Sequence, residues 1–139
     1  MTPLPELTEL GRRRREIQDQ LAALDDLRPG SLTPRYRKCG KPTCHCATEG
    51  DPGHGPSWSL TWTVEGKTQT RIIPVEAVEE TQAQIAEYRR ARALTRDLFE
   101  VSTRMCDMQL QSVKAAQKKI SSRRSRRRSA ARSPPKPRP

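Results

Sequence analysis

The chain has 139 residues, of which 32% are hydrophobic, 4% aromatic and 31% charged. That length suits one domain, but so little apolar mass makes a thin core, and a fold of this kind needs a staple. The formal charge of +11 points to an anionic partner, and no apolar run is long enough to span a bilayer. Met1 to Leu10 lacks the apolar stretch of a secretory leader, so a cytoplasmic chain is expected, nucleoid-associated if it binds DNA.

The first predicted element is an amphipathic helix from about Leu4 to Leu27, within an N-terminal segment of residues 1–29. Leu7, Leu10, Ile17, Leu21 and Leu24 follow a 3-4 spacing and form one stripe. The run Arg12 to Arg15 covers most of one turn and reads as a solvated face. Arg28-Pro29-Gly30 stops the helix.

Residues 30–74 carry the chemistry. Ser31 to Lys38 is predicted to be short, basic and extended. "CGKPTCHC" follows, with Cys39, Cys44 and Cys46 inside eight residues, and then His54. Three thiols and one imidazole supply a tetrahedral zinc set, and four local protein ligands describe a closed, structural site. His45 is the rival fourth ligand. It sits between two ligating neighbours, and in an extended stretch its side chain points away from them. Clustered cysteines in a reducing compartment more often bind metal than pair as disulfides. Cys106 lies far away in sequence and reads as a buried thiol.

A strand is predicted over Ser57 to Val64, where Trp58, Leu60, Trp62 and Val64 alternate with polar residues. A second strand, Lys67 to Ile73, follows. Two registers are available to this β-hairpin. A two-residue turn at Glu65-Gly66 pairs Trp62 with Gln69. A three-residue loop pairs Trp62 with Thr68 and keeps the apolar face consistent, so it is the expected register. Trp58 and Trp62 read as core.

Residues 75–112 form a long helix opened by Pro74. Val78, Ile85, Tyr88, Ala91, Leu94, Leu98, Val101, Met105 and Met108 make a narrow stripe. The first helix is expected to cover part of it as an antiparallel coiled-coil hairpin, and a second copy of the chain to cover the remainder as a homodimer. Residues 113–139 hold eleven of the 27 lysines and arginines and no acid. This Arg/Ser/Pro-rich tail is expected to be disordered. Lys118, Lys119, Arg123, Arg124, Arg126, Arg127 and Arg128 are candidate phosphate contacts, and Arg35, Tyr36, Arg37, Lys38 and Lys41 around the cysteines are further candidate nucleic-acid contacts.

The expected fold is therefore α+β: a zinc-clipped β-hairpin between two helices, with a basic tail. No phosphate-cradling glycine loop, H-E-x-x-H or nucleophile elbow occurs, so a non-enzymatic protein is expected. The favoured function is nucleic-acid binding, DNA before RNA and not membrane. The alternative is a coiled-coil protein–protein adaptor localised by its tail.

The stretch from Gly30 to Met108 resembles a family of small uncharacterised bacterial proteins. It is carried by "GSLTPRYRKCGKPTCHC", then "HGP", "EGKTQTR" and "IPVEAVEE". The resemblance implies no established activity. It implies a mobile-element context, with a recombinase or transposase as a possible partner.

Overall fold

The computed structural model describes residues 5–132. The elements run helix α1 (Pro5–Ala22), strands β1 (Ser31–Arg37), β2 (His54–Val64) and β3 (Lys67–Ile73), then helix α2 (Val78–Ala131). Short 3₁₀ turns occupy His45–Ala47 and Val75–Ala77. The fold is α+β, with a three-stranded antiparallel sheet in the order β1-β2-β3. No helix among the described residues is long and apolar enough to cross a membrane.

The chain divides into two units, Asp19–Arg96 and the combination of Met1–Gln18 with Asp97–Pro139. In the first unit Leu60 is the fully buried centre of the sheet, and Ile85, Thr81 and Leu94 of α2 are also buried. The segment entering β1 is tied to α2 by its backbone. Arg28 N–H donates to Gln84 O at 3.2 Å, and Asp25 N–H donates to the Glu87 carboxylate at 3.0 Å. In the second unit Ile17 and Met105 are buried. Gly11 lies against the Met105 methyl, and Arg104 pairs with Glu6.

The helical stripes read from the sequence are covered. Leu7, Leu10 and Leu21 are half-buried and Ile17 is buried, while every position of the Val78-to-Met108 stripe is buried or half-buried. The arginine turn spends part of its charge locally. Arg12 bonds Glu9 and Glu16, and Arg13 lies 3.6 Å from Glu16. The Arg12 hydrogen bond and charge hold the Glu9 carboxyl below its ordinary value.

Four expectations are corrected. First, Ser31–Arg37 is a full third strand rather than an extended lead-in. Pro34 is accommodated because β1 is an edge strand, where a missing N–H costs no ladder bond. Second, the hairpin takes the two-residue turn. Val64 pairs with Lys67, Trp62 with Gln69 and Leu60 with Arg71. Glu65 and Gly66 have φ of 49° and 78°, the doubly left-handed turn whose twist matches the flanking strands. Arg71 then lies on the tryptophan side, where its guanidinium stands 5.7 Å from the Trp62 ring. The stacked cation serves there as an apolar neighbour would.

Third, the tail is not disordered from residue 113: α2 continues to Ala131. No glycine or proline interrupts residues 75–133, and alanine, lysine, glutamine and arginine are good helix formers. The expectation for residues 133–139 lies outside the described residues. Fourth, Cys106 is exposed rather than buried.

The turn gives a test of the register. Glutamate in the left-handed region carries a cost on the order of 1 kcal/mol that asparagine largely avoids. Glu65→Asn is expected to raise the unfolding free energy by up to that amount, read as a higher urea midpoint with an unchanged m-value. An unchanged or lowered midpoint counts against the two-residue turn.

Candidate metal centre

The sheet register builds the site. β1 ends at Arg37, which pairs with His54, the first residue of β2, after a register shift between Arg35 and Arg37. Cys39 lies two residues beyond that pair, so strand pairing alone brings Cys39 and His54 to the same end of the sheet. Close approach there requires the glycines on either side of His54. A Cβ on Gly53 would stand 2.8 Å from Arg37 O, and one on Gly55 would stand 2.6 Å from Arg35 O. Both have positive φ, 102° and 139°, a region that L-residues rarely adopt.

Cys44 and Cys46 come from the intervening loop. Cys44 N–H donates to Lys41 O at 3.2 Å, and Ala47 N–H donates to Cys44 O at 3.0 Å. These bonds curl the chain so that both thiols face Cys39. The ligand atoms of Cys39, Cys44, Cys46 and His54 all lie within 4.8 Å of one another. Cys39 Sγ is 3.4 Å from Cys46 Sγ, and Cys44 Sγ is 3.1 Å from His54 Nε2. A tetrahedral zinc with ordinary bond lengths has ligand–ligand edges of roughly 3.5–3.8 Å. The cluster is already near that size, and its donors can hold a metal ion.

Electrostatics agree with the geometry. The Cys39 thiol is pulled down to about 6, chiefly by the Lys41 backbone N–H and then by the His54 ring and the Cys46 thiol. Cys46 is fully buried. Its thiol is pushed up by burial and by the neighbouring sulfurs, although the Cys39 N–H, 3.4 Å from its sulfur, acts in the opposite sense. A central cation would favour the thiolate at every cysteine position.

His45 is held elsewhere. Its Nδ1–H donates to Asp51 Oδ2 at 3.1 Å, and its ring meets the His54 ring edge-on at 4.8 Å between centroids. The other oxygen, Asp51 Oδ1, accepts from Gly53 N–H at 2.8 Å. These bonds from Gly53 and His45 hold the Asp51 carboxyl below its ordinary value. Asp51 thus clamps His45 and shapes the turn that delivers His54. Sequence reasoning passed over this residue. The signal was the Asp-Pro-Gly string, which favours a side-chain bond to the backbone N–H two residues on.

The candidate nucleic-acid residues fall into two groups. Arg35, Tyr36, Arg37, Lys38 and Lys41 are all exposed around the metal loop. The Tyr36 ring lies against Gly55, with Cδ1 3.3 Å from the place a Cβ would take, so one edge packs while 51% of the residue stays exposed. Lys118, Lys119, Arg123, Arg124, Arg126, Arg127 and Arg128 lie exposed on α2, in the other unit. Trp58 and Trp62 are half-buried. Trp62 carries the Arg28 guanidinium 5.5 Å from its ring as well as that of Arg71.

Removing a ligand is expected to differ from removing the rival histidine. His54→Ala should lower zinc affinity more than about tenfold, and Asp51→Asn roughly tenfold with the stoichiometry retained, as for a residue that orients a ligand. His45→Ala should leave binding near the wild-type value. Competition against a chromophoric chelator measures all three, and a His45→Ala loss equal to that of His54→Ala would reverse the assignment.

A family model described as Domain of unknown function (DUF6788) matches residues 7–83. That range takes in most of α1, the whole sheet, all four candidate ligands and the first residues of α2. It includes the arginine turn, which the resemblance read from the sequence left out, and stops well short of Met108. No curated protein and no solved structure matches.

Proposed function

The chain belongs to the family of the domain of unknown function (DUF6788), and on that premise we propose that it is a non-enzymatic, zinc-binding, nucleic-acid-binding protein with duplex DNA as its ligand. The metal is structural in this reading. Cys39, Cys44, Cys46 and His54 would hold it, and it would contribute folding energy to a chain with a thin core. Antiparallel pairing of α1 with α2 would steady the same core.

The observation that carries the DNA assignment is the C-terminal part of α2. From Lys114 to Arg128 it presents eight lysines and arginines and no acid, and every one of these residues is exposed. At 100° per residue Lys118, Arg123 and Arg124 point to three different sides of the helix. A membrane-surface helix instead gathers its cations on one side and its apolar residues on the other. Charge on all sides suits a groove with a phosphate backbone on each flank. The B-form major groove admits an α-helix, while that of A-form RNA is too narrow for side chains to read. Like charges also stand four residues apart at Lys119–Arg123, Arg123–Arg127 and Arg124–Arg128, a destabilising arrangement in free solution that phosphates would neutralise.

Exposed Arg35, Arg37, Lys38 and Lys41 would add contacts from the metal loop. A role as an accessory or regulatory factor of a mobile element, beside a recombinase or transposase, rests on the motif resemblance. The second reading, a protein–protein adaptor, draws on exposed apolar residues of α2.

A gel-shift titration over a salt series tests the proposal. If six to ten phosphates are engaged, affinity should fall about 10³–10⁵-fold between low and moderately higher salt. Ending the chain after Ser112 should remove most of both the affinity and the salt slope. Full-length protein that ignores duplex DNA at low salt would overturn the reading, as would a truncated form that binds equally well.

A further inference from the structure

α2 carries a second apolar stripe that the rest of the described chain leaves uncovered. Phe99, Leu110, Val113 and Ile120 are 65%, 53%, 56% and 59% exposed, and Cys106 is exposed as well. With Thr103 and Gln117 they fall at 99, 103, 106, 110, 113, 117 and 120. That is an unbroken alternation of four- and three-residue steps over three heptads, roughly 33 Å of helix. The apolar residues that α2 buries in this region occupy a different side. Met105, which meets Gly11 of α1, stands about 100° from Cys106 around the axis.

We propose that this stripe is the seam of a parallel, in-register two-stranded coiled coil, and that its occupant is a second copy of the chain. The 4-3 spacing is self-complementary, because each seam residue packs into the gap between its equivalents on the facing helix. In-register parallel pairing stacks Phe99, Cys106, Leu110, Val113 and Ile120 each on its own counterpart. An antiparallel pair that set Leu110 against Val113 of the second copy would place Phe99 against Arg124 and Cys106 against Gln117.

Charge beside the seam fits the same choice. The flanking pairs that parallel pairing brings together are Ser102 with Asp107, Gln109 with Lys114, and Ala116 with Ser121, and none is like-charged. Gln117 in the seam would penalise a slipped register, as one polar core position does in coiled coils. This surface stands independently of whether the tail binds DNA. If it does, both cationic segments leave the seam at the same end, and one duplex can engage both.

The test uses full-length protein at a salt concentration that screens the tails. Sedimentation equilibrium is expected to give twice the 15.8 kDa chain mass, and Leu110→Glu and Val113→Glu each to give the single-chain mass. Tryptophan fluorescence should stay unchanged in both, because Trp58 and Trp62 belong to the other unit. Mild oxidation should link the wild-type dimer through Cys106. Cys106→Ser should sediment as a dimer but form no link. A monomeric wild type, or a Leu110→Glu protein that remains dimeric, overturns the seam. A dimer that Leu110→Glu dissociates but that never links through Cys106 overturns the parallel register. A monomer that still retards DNA sinks this inference alone, and a dimer that ignores DNA sinks the nucleic-acid reading alone.

Discussion

The pairing of Arg37 with His54 across β1 and β2 is the constraint on which the remainder of the metal unit depends. It sets the separation between Cys39 and the imidazole before any ion is considered. Fourteen residues lie between those two candidate ligands. Closing such a loop costs chain entropy that grows only slowly with length, and here the strand ladder meets that cost. The ladder in turn is short, its edge strand contains a proline, and Leu60 is its one fully buried large side chain. Sheet and cluster therefore support each other. Strand pairing preorganises the donors, and a bound cation would fix the open end of the sheet with apparent energy of roughly 10–16 kcal/mol, as in small zinc modules.

Charge is organised on two length scales. Residues 1–112 contain all 16 acids and an equal number of lysines and arginines, and several of these are matched over a few ångströms. Arg12 takes Glu9 and Glu16, Arg104 takes Glu6, and Arg90 lies 3.5 Å from Glu87. Exposed pairs of this kind add little stability, but they cancel the field of the body at a distance. Beyond residue 112 no acid remains to do so. The long-range potential of the molecule thus originates at one end of one helix, which is a physical reason to seek the anionic ligand there.

How much of this was legible depended on whether the signal was local. Alternation at Trp58, Leu60, Trp62 and Val64 marked β2, and the 3-4 stripe marked the covered face of α2, because side-chain period is fixed by backbone geometry alone. The four candidate ligands were legible because zinc chemistry restricts residue type and spacing, and the structure brings them within 4.8 Å of one another. The turn was not. Judged by polarity, Arg71 belonged on the solvent face, yet a guanidinium stacked on an indole behaves as an apolar neighbour. β1 was obscured by Pro34 and by Arg35 and Arg37, which are tolerated only because the strand is at an edge. The helical course of residues 113–131 was hidden by charge density, which outweighed the absence of helix breakers. Exposure of Cys106 was not readable at all, since which face of a helix is covered depends on its neighbours.

α2 explains the two misreadings that fall toward the C-terminus, at Cys106 and at residues 113–131. Its 54 residues extend about 80 Å, against about 27 Å for the 18 residues of α1. The 18 residues of α1 are too few to cover a helix of that length throughout. Two unsatisfied features remain along it: an apolar heptad stripe from Phe99 to Ile120, on a different side from the covered Val101, Met105 and Met108, and a run of cations from Lys114 to Arg128. The stripe overlaps the start of the cationic run, so Lys114 flanks the seam beside Val113, where apolar positions would otherwise promote indiscriminate association. Lysine beside a seam tolerates a facing helix, because its long stem packs while its ammonium reaches water, but it opposes collapse onto an arbitrary oily surface.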